Sequence, residues 1–306
     1  MVAKRGAAAA AGKRAAVHQL HTEHDVRPAG FDARPAHHPA QPDRRERIAA
    51  PATGVKRPTL GQHFLRRPAL LKRIAAAAAP QIEPLIIEIG PGRGALTEYL
   101  SERAGRLVAI ELDAKLAGEL RARFAGRHQV EILHADVRNV NLAQWGPAVV
   151  AGNLPYYITS PVLDQVLEIG PGLLRAVLLV QKEVADRLTA KPGHREYGYL
   201  TVRTAFRAQA RILFRVPAAA FSPPPKVESA VVELDPRTPN EDLPVEDGAR
   251  FLEFVGRCFR QKRKTIRNNL SKWYPRQSLE ALPEAGLRAE QLGLAGFLAL
   301  YRRLTP

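Results

Sequence analysis

The sequence predicts an α/β fold in which a doubly wound parallel sheet precedes a small C-terminal helical domain. Short, nearly continuous apolar runs alternate with helical segments from about residue 68 to residue 180, which is the spacing of parallel strands and their crossover helices. Beyond about residue 241 the apolar positions take up helical spacing, as at Phe251, Phe254 and Val255.

The predicted elements follow one another in a regular order. Residues 68–79 predict a helix, because their apolar positions share one side and Pro80 stops the pattern. Residues 85–89 form a short, nearly continuous apolar run followed by glycine, which is typical of a buried parallel strand. Further strands are predicted at 106–112, 130–135, 148–152 and 175–180, with helices at 95–103, 114–124 and 160–169. Two later runs, 210–215 and 227–234, predict an antiparallel pair at the edge of the sheet.

The chain divides into three predicted segments. Residues 1–55 are rich in Ala, Arg, His and Pro without apolar periodicity, so we expect a disordered basic tail whose scattered histidines bind no metal. Residues 56–240 contain the predicted sheet. The acidic, proline-containing stretch 241–246 predicts a domain boundary, with a helical domain over 241–306.

The composition limits the function further. A net charge of +16 indicates a polyanionic partner, most simply nucleic acid. The single cysteine, Cys258, excludes a disulfide framework and a cysteine zinc site within one chain, and such usage is typical of the cytosol. No apolar run reaches the roughly 18 residues that a membrane span requires. We therefore expect a cytoplasmic protein with no membrane contact and no metal.

The predicted strand ends place glycines and carboxylates at one edge of the sheet. The loop after the first strand reads Gly90-Pro91-Gly92-Arg93-Gly94, and glycines allow backbone to approach a ligand closely. Glu111 ends the next strand about 20 residues later, where a carboxylate binds ribose hydroxyls in such folds. Asp136 ends the third strand and could accept from an adenine amino group, although a helix N-cap fits it equally well. A dinucleotide, a nucleotide-like sulfonium cofactor and a plain tight turn all remain compatible with the glycine loop alone.

Four motifs together resemble one enzyme family. The fourth strand runs into Asn153-Leu154-Pro155-Tyr156, which resembles the loop of adenine and cytosine amino-methyltransferases. Residues 61–65 (GQHFL), 221–232 (FSPPPKVESAVV) and 262–270 (KRKTIRNNL) resemble the other motifs of the ribosomal RNA adenine dimethylase family. From residue 59 to about residue 300 the sequence is most similar to the KsgA-type small-subunit rRNA adenine N6,N6-dimethyltransferases.

This resemblance implies a Rossmann-like methyltransferase sheet that uses S-adenosyl-L-methionine. It also implies transfer of two methyl groups to each of two adjacent adenosines near the 3′ end of small-subunit rRNA, within the immature subunit. We expect a monomer. The expected cofactor contacts are His63, Leu65, Gly90, Gly92, Glu111, Asp136 and Asn153. His63 departs from the asparagine of the family motif but keeps the capacity to hydrogen-bond.

The chemistry of amine methylation explains the catalytic loop. The lone pair of the adenine amino group is delocalised into the ring, so this nitrogen is a poor nucleophile. The Asn153 side-chain oxygen and a backbone carbonyl near Leu154 can accept its two hydrogens and favour a localised lone pair. Pro155 stiffens the turn, and Tyr156 can stack on a base held out of its helix. The alternative for the motif alone is a plain Asn-x-Pro turn.

A basic segment lies between Arg257 and Arg276, and it contains no acidic residue. The expected RNA contacts are Arg260, Lys262, Arg263, Lys264 and Arg267. Such side chains bind phosphates, and the neighbouring Trp273 and Tyr274 could stack on unpaired bases. The alternative is a solvated charged face.

Three other functions share parts of this pattern. A macrolide-resistance-type large-subunit rRNA adenine methyltransferase would use the same chemistry, but the proline-rich block and the N-L-P-Y loop favour the small-subunit branch. A non-catalytic RNA-binding assembly factor could share the fold, but the complete set of Gly90, Glu111, Asp136 and Asn153 favours an enzyme. A nicotinamide dehydrogenase would share the glycine loop and Glu111, but the 153–156 loop offers no hydride chemistry.

Overall fold

The computed structural model describes residues 63–236 and 245–305. The predicted tail over 1–55 and the stretch 237–244, which includes most of the predicted boundary, lie outside the described residues. The strands are β1 (Phe64–Leu65), β2 (Glu83–Ile89), β3 (Ala104–Glu111), β4 (Val130–His134), β5 (Ala148–Asn153), β6 (Leu173–Gln181), β7 (Ala208–Val216), β8 (Phe221–Ser222) and β9 (Ser229–Pro236). The helices are α1 (Pro68–Ala78), α2 (Ala95–Ser101), α3 (Ala114–Arg123), α4 (Thr159–Glu168), α5 (Lys182–Leu188), α6 (Tyr199–Arg207), α7 (Val245–Cys258), α8 (Ile266–Leu270), α9 (Arg276–Glu280) and α10 (Leu294–Leu304).

Seven of the strands form one mixed sheet in the order β4-β3-β2-β5-β6-β9-β7. The first five are parallel, in a register that pairs Ile86 with Val149 and Val150 with Ala176. The carboxyl ends of these strands therefore meet along a single edge. The predicted α/β fold class is confirmed.

The two runs predicted as an antiparallel edge pair do pair, but only one of them lies at the edge. β9 hydrogen-bonds to β7 on one side and to β6 on the other, antiparallel in both cases. β9 is therefore an interior strand, which explains why its residues from Ser229 to Leu234 are all buried.

Helices cover both faces of the sheet, because successive strand residues point to opposite faces. Ile86 and Val149 pack with Ile74 of α1 and Leu100 of α2 on one face. The neighbouring Ile87 and Val150 pack on the other face with Val162 and Leu163 of α4. Each such fully buried side chain contributes on the order of 1.5–3 kcal/mol of burial free energy. Both faces of the parallel strands are therefore core, as their nearly continuous apolar runs predict.

A second, two-stranded sheet joins two of the sequence motifs. In it Phe64 pairs with Ser222 and Leu65 with Phe221, antiparallel. This pairing brings Phe64 and Leu65 of the first motif beside the start of the proline-rich block. Leu65 and Phe221 are both buried in the same apolar cluster as α1, so the junction is packed as well as hydrogen-bonded.

The C-terminal helices share a core of their own. Phe251, Phe254 and Phe297 are fully buried there with Cys258, and burial raises the pKa of the Cys258 thiol to about 12. Val202 of α6 belongs to the same cluster, so this helical core begins before the predicted boundary near residue 241. No helix within residues 63–236 and 245–305 has both the length and the apolar character needed to cross a membrane.

Candidate active site at the carboxyl edge of the sheet

An open cavity lies at the carboxyl ends of β2, β3, β4 and β5. All the residues that the sequence proposes as catalytic or cofactor-binding line this cavity. These are His63, Leu65, Gly90, Gly92, Glu111, Asp136, Asn153, Leu154, Pro155 and Tyr156. The structure thus brings together residues from five separate segments, as expected for strand ends of one parallel sheet.

Glu111 fastens the glycine loop to the end of β3. Its Oε2 accepts the Gly92 N–H at 2.9 Å, and its Oε1 accepts the Asp113 N–H at 2.9 Å. Gly92 has φ +59°, and a Cβ there would lie 2.9 Å from the Phe64 ring, so the loop requires glycine. Each carboxylate oxygen accepts more than one hydrogen bond. The buried Glu111 can therefore hold the loop and still accept from ligand hydroxyls.

Asp136 is a cap and an ion-pair partner. Its side chain accepts the backbone N–H of Arg138 at 3.0 Å and pairs with the Arg138 guanidinium. The hydrogen bond from Arg138 lowers the pKa of the Asp136 carboxyl. Asp136 therefore acts as an N-cap, which is the alternative that the sequence offers for it. Asp136 lines the cavity as an ionised and already partnered carboxylate, which weakens the case for direct adenine recognition by this group.

Asn153 has a fixed amide orientation. Its Nδ2 donates to the His63 carbonyl at 3.0 Å, which leaves Oδ1 as the group able to accept from a ligand. Gly152, immediately before it, lies against β2, and a Cβ there would come within 2.5 Å of the Ile89 carbonyl oxygen. The close approach of β5 to β2 therefore requires glycine and sets the position of the loop.

The rest of the loop is also held in place. Leu154 is buried, and its N–H continues the β5–β6 pairing by donating to the Leu179 carbonyl at 3.0 Å. The carbonyl of Pro155 accepts the Ile158 N–H at 3.1 Å and so begins a short helical turn. The Tyr156 hydroxyl and Ser229 Oγ share a hydrogen bond of 2.8 Å. Burial raises the pKa of the Tyr156 phenol, so the hydroxyl stays protonated at neutral pH.

Glu88 is a cavity residue that the sequence reasoning missed. It is fully buried in β2 with Thr97 and Glu111 near it, and its Oε2 has no partner among the described residues. Burial raises the pKa of the Glu88 carboxyl to about 8; the nearby Thr97 hydroxyl opposes this, and the Glu111 charge adds to it. A carboxylate that interrupts an apolar strand just before a glycine loop is the signal that could have identified it.

The raised pKa of Glu88 predicts a pH-dependent stability. Between pH 4.5 and about 8 the unfolded chain ionises this carboxyl while the folded chain keeps it protonated, so stability falls as pH rises. The full shift corresponds to a loss on the order of 3–5 kcal/mol. Glu88→Gln mimics the protonated form and should remove this loss. Urea unfolding of both proteins at pH 5, 7 and 8.5 measures it, and parallel pH curves would contradict the assignment.

Within the basic segment, the side chain of Asn269 fixes the backbone of the loop through hydrogen bonds. Arg260, Lys262, Arg263, Lys264 and Arg267 are all exposed. Asn269 Nδ2 donates to the Cys258 carbonyl at 2.8 Å and the Gln261 carbonyl at 3.1 Å, and its Oδ1 accepts the Gln261 N–H at 3.0 Å. The buried Asn269 therefore shapes the loop between α7 and α8 that presents these cations.

Two of the expected RNA contacts already have protein partners. Lys262 donates to the Arg195 carbonyl at 2.6 Å and lies 3.9 Å from Glu290. The Arg260 guanidinium lies 5.5 Å from the centre of the Trp273 ring, which remains partly exposed. Arg263, Lys264 and Arg267 have more freedom to reach phosphates. Among the described residues, no cluster of three or more histidine, cysteine or acidic side chains is arranged to hold a metal ion.

Comparison with known proteins gives a consistent result. The family model for ribosomal RNA adenine dimethylase matches residues 54–294. The ribosomal RNA small subunit methyltransferase A of Acidobacterium capsulatum is 42% identical over 270 residues, which cover 85% of this chain and 95% of that protein. The protein of the same name from Geobacillus thermodenitrificans is 37% identical, with 87% and 97% covered.

Two solved structures are also similar along most of the chain. The 23S rRNA methyltransferase ErmE has a TM-score of 0.62 and 31% identity, and the match covers 79% of this chain and 100% of that one. A dimethyladenosine transferase from Plasmodium falciparum has a TM-score of 0.66 and 25% identity, with 78% and 96% covered. The chain therefore belongs to the ribosomal RNA adenine dimethylase family.

Proposed function

We propose that this protein transfers methyl groups from S-adenosyl-L-methionine to the exocyclic amine of adenine in small-subunit rRNA. The product would be N6,N6-dimethyladenosine at two adjacent positions near the 3′ end. The observation that carries the proposal is the placement of the Asn153–Tyr156 loop on the same cavity as the glycine loop and Glu111. Family membership and the names of the relatives support it.

The cavity fits the proposed cofactor by its chemistry. Glu111 offers carboxylate oxygens to ribose hydroxyls, and the Gly90–Gly92 turn lets backbone approach closely. Glu88 adds a buried oxygen that has no partner within residues 63–236 and 245–305, a group that a polar ligand can satisfy. The Leu65 side chain forms part of the apolar wall of the cavity. When bound, the cofactor supplies an electrophilic methyl group on a sulfonium.

The protein's own residues orient the amine. Asn153 Oδ1 is presented by the bond from Nδ2 to the His63 carbonyl, and it accepts one amino hydrogen of the target adenine. Tyr156 provides a ring surface for the base, held at its hydroxyl by Ser229. Because the Tyr156 phenol stays protonated, it does not act as a base. Its proposed role is to stack on the adenine. The reaction then depends mainly on positioning, which alone supplies several kcal/mol of a reaction barrier.

The target subunit follows from the relatives and requires a direct test. The relatives named small subunit methyltransferase A reach 42% identity, while the large-subunit enzyme ErmE reaches 31%. Incubation with labelled S-adenosyl-L-methionine and under-methylated 30S or 50S particles should give dimethyladenosine in the 30S particle. Methylation of the 50S particle would support the large-subunit alternative. Binding of cofactor and 30S particle without transfer would support a non-catalytic assembly factor.

We further infer that the C-terminal helical region binds the immature small subunit. We also infer that the protein is cytoplasmic and acts as a monomer. The exposed cations between α7 and α8 support contact with the RNA of the subunit. Phosphate contacts of this kind give affinity that falls as salt rises.

The double variant Arg263→Ala/Lys264→Ala should weaken particle binding and flatten its salt dependence. Loss of two phosphate contacts lowers the log–log salt slope by up to about 2 units. Binding titrations at several salt concentrations measure this, while cofactor affinity should stay constant. The charge control is Arg103→Ala/Arg106→Ala at the amino-end edge of β3; because Arg103 donates to the Ala79 carbonyl and Arg106 pairs with Glu131, its melting temperature must verify the fold. Equal slopes in both variants would show that the basic loop is only a solvated face.

A further inference from the structure

The two aromatic side chains at the end of the basic segment have different surroundings. Tyr274 packs edge-on against Phe254, with ring centres 6.2 Å apart, and is half-buried against the core of the C-terminal helices. The neighbouring Trp273 is exposed, with a fractional exposure of 37%. The sequence offers both rings as stacking groups for unpaired bases. Of the two, Trp273 is the one whose ring a ligand can reach.

Two arginines hold this indole ring at the end of α7. Arg257 lies in the last turn of the helix, and Arg260 follows three residues later. Their guanidinium carbons lie 5.2 Å and 5.5 Å from the centre of the Trp273 ring, within the range of a cation–π contact. Arg257 also donates to the Glu253 carboxylate at 2.6 Å, which fixes its guanidinium. The ring is therefore positioned by its cationic neighbours while part of its surface stays in solvent.

Arg260 has donor capacity that the protein does not use. It is exposed, and within residues 63–236 and 245–305 its side chain contacts the Trp273 ring but forms no hydrogen bond or ion pair. A guanidinium carries N–H donors in a planar fork that matches a phosphate group. Lys272, next to the indole in the chain, is exposed as well. Because the sequence from 257 to 276 contains no acidic residue, these cations are available to an anionic ligand.

A nucleotide with an unpaired base fits this combination of groups. It offers a flat aromatic face to the indole and, one sugar away, a phosphate to the guanidinium. Double-stranded RNA offers the phosphates, but its bases are stacked on one another and cannot reach the indole. An acidic peptide would bind the arginine and leave the indole without a stacking partner. An exposed ring beside an unused guanidinium therefore favours a single-stranded nucleic acid.

We propose that Trp273, Arg257 and Arg260 form a binding site for one unpaired nucleotide of the rRNA, with the base stacked on the indole and the phosphate bound by Arg260. None of these residues lines the catalytic cavity. The site therefore takes a nucleotide other than the target adenosine. This inference rests on the proposed function, because the single strand is taken to belong to the rRNA substrate.

Short RNAs test this site without the ribosomal particle. A labelled single strand of about eight nucleotides without adenine gives the catalytic loop no target base, and a duplex of the same length is the comparison. Fluorescence anisotropy measures both affinities. Trp273→Ala should weaken single-strand binding by about tenfold, the scale of one base stacked on an aromatic ring, and duplex binding by less than about twofold. Trp273→Phe keeps a ring and should recover most of the affinity.

The indole and the guanidinium should differ in their effect on the salt dependence of binding. Arg260→Ala removes one phosphate contact, so the log–log salt slope for the single strand should fall by about 0.7 unit. Trp273→Ala should leave that slope unchanged, because stacking releases no counterion. The matched control is Lys115→Ala, which removes an exposed cation from α3 and should leave the single-strand affinity unchanged.

Equal losses of single-strand and duplex affinity in Trp273→Ala, or no loss of single-strand affinity, would overturn the proposal. Failure of the unmodified protein to bind the single strand would overturn it too. Melting temperatures verify the fold; if Trp273→Ala does not fold, Trp273→Leu replaces it, since it keeps an apolar side chain without a ring. Binding that depends on Trp273 in a protein that methylates no 30S adenosine would refute the proposed function and leave this site in place.

Discussion

Replacement of Asn153 by alanine is expected to lower the single-turnover rate of methyl transfer by about 10²–10³, as for loss of one preorganised polar group that acts in the transition state. Nδ2 is held by the His63 carbonyl, which leaves Oδ1 able to accept from the target amine in the proposed mechanism. The measurement is methylation of adenosine in immature 30S particles, with circular dichroism and melting temperature to verify the fold. A wild-type rate in the folded variant would refute the mechanism.

Neighbouring variants give this prediction its internal controls. Asn153→Asp keeps the shape but cannot donate to the His63 carbonyl, so the rate should fall as well. Tyr156→Ala should weaken base placement by roughly 1–3 kcal/mol. Tyr156→Phe keeps the stacking surface and should be mild. Ser229→Ala should match Tyr156→Phe, because each removes the same 2.8 Å hydrogen bond.

Glu111→Ala should weaken cofactor binding by about 1.5–3 kcal/mol, the scale of hydrogen bonds to a charged group. The variant loses the proposed ribose acceptors and also releases the Gly92 N–H from its anchor. Calorimetric titration with S-adenosylhomocysteine measures the change.

The matched control is Asp113→Ala, a carboxylate two residues further on. Its side chain caps α3 through the Lys115 and Leu116 N–H groups, and its backbone N–H to Glu111 survives substitution. It should cost about 1 kcal/mol of stability with unchanged cofactor affinity. Equal affinities in the two folded variants would exclude Glu111 from the cofactor site. Tighter binding of NAD than of S-adenosylhomocysteine would contradict the cofactor proposal as a whole.

The parallel strands could be predicted because each is a short apolar run bounded by turn residues. The strand predicted at 148–152 matches β5 to within one residue, and the helix predicted at 68–79 matches α1 equally well. Pro68 and Pro80 define that helix in the sequence alone. In both elements the information lies in consecutive residues.

The order of the last strands could not be predicted in the same way. β7 and β9 are close along the chain, which predicts that they pair. The second partner of β9 is β6, a strand far from it in the sequence, and no local pattern predicts that pairing. β1 and β8 have two residues each, too few to show a period. α6 was missed because its apolar residues serve two cores: Val202 packs with the C-terminal helices, whereas Leu200 packs against the core of the sheet.

In the candidate site, too, the sequence predicts which segments meet but not which side chains pair. The rule that ligands bind at the carboxyl ends of parallel strands placed the glycine loop, Glu111 and the Asn153 loop on one cavity. It could not choose side-chain partners. The pairing of Asp136 with Arg138 and of His63 with Pro223 depends on rotamers and on the β1–β8 junction.

The position of Cys258 makes the protein convenient for site-specific labelling. Alkylating reagents attack the thiolate, and a fully buried thiol with a pKa near 12 offers almost none at neutral pH. A fluorophore could therefore be attached to a new cysteine on the exposed surface without first removing the native one. Slow reaction of Cys258 itself would then report how often α7 opens from its helical neighbours, since the sulfur reaches solvent only during such openings.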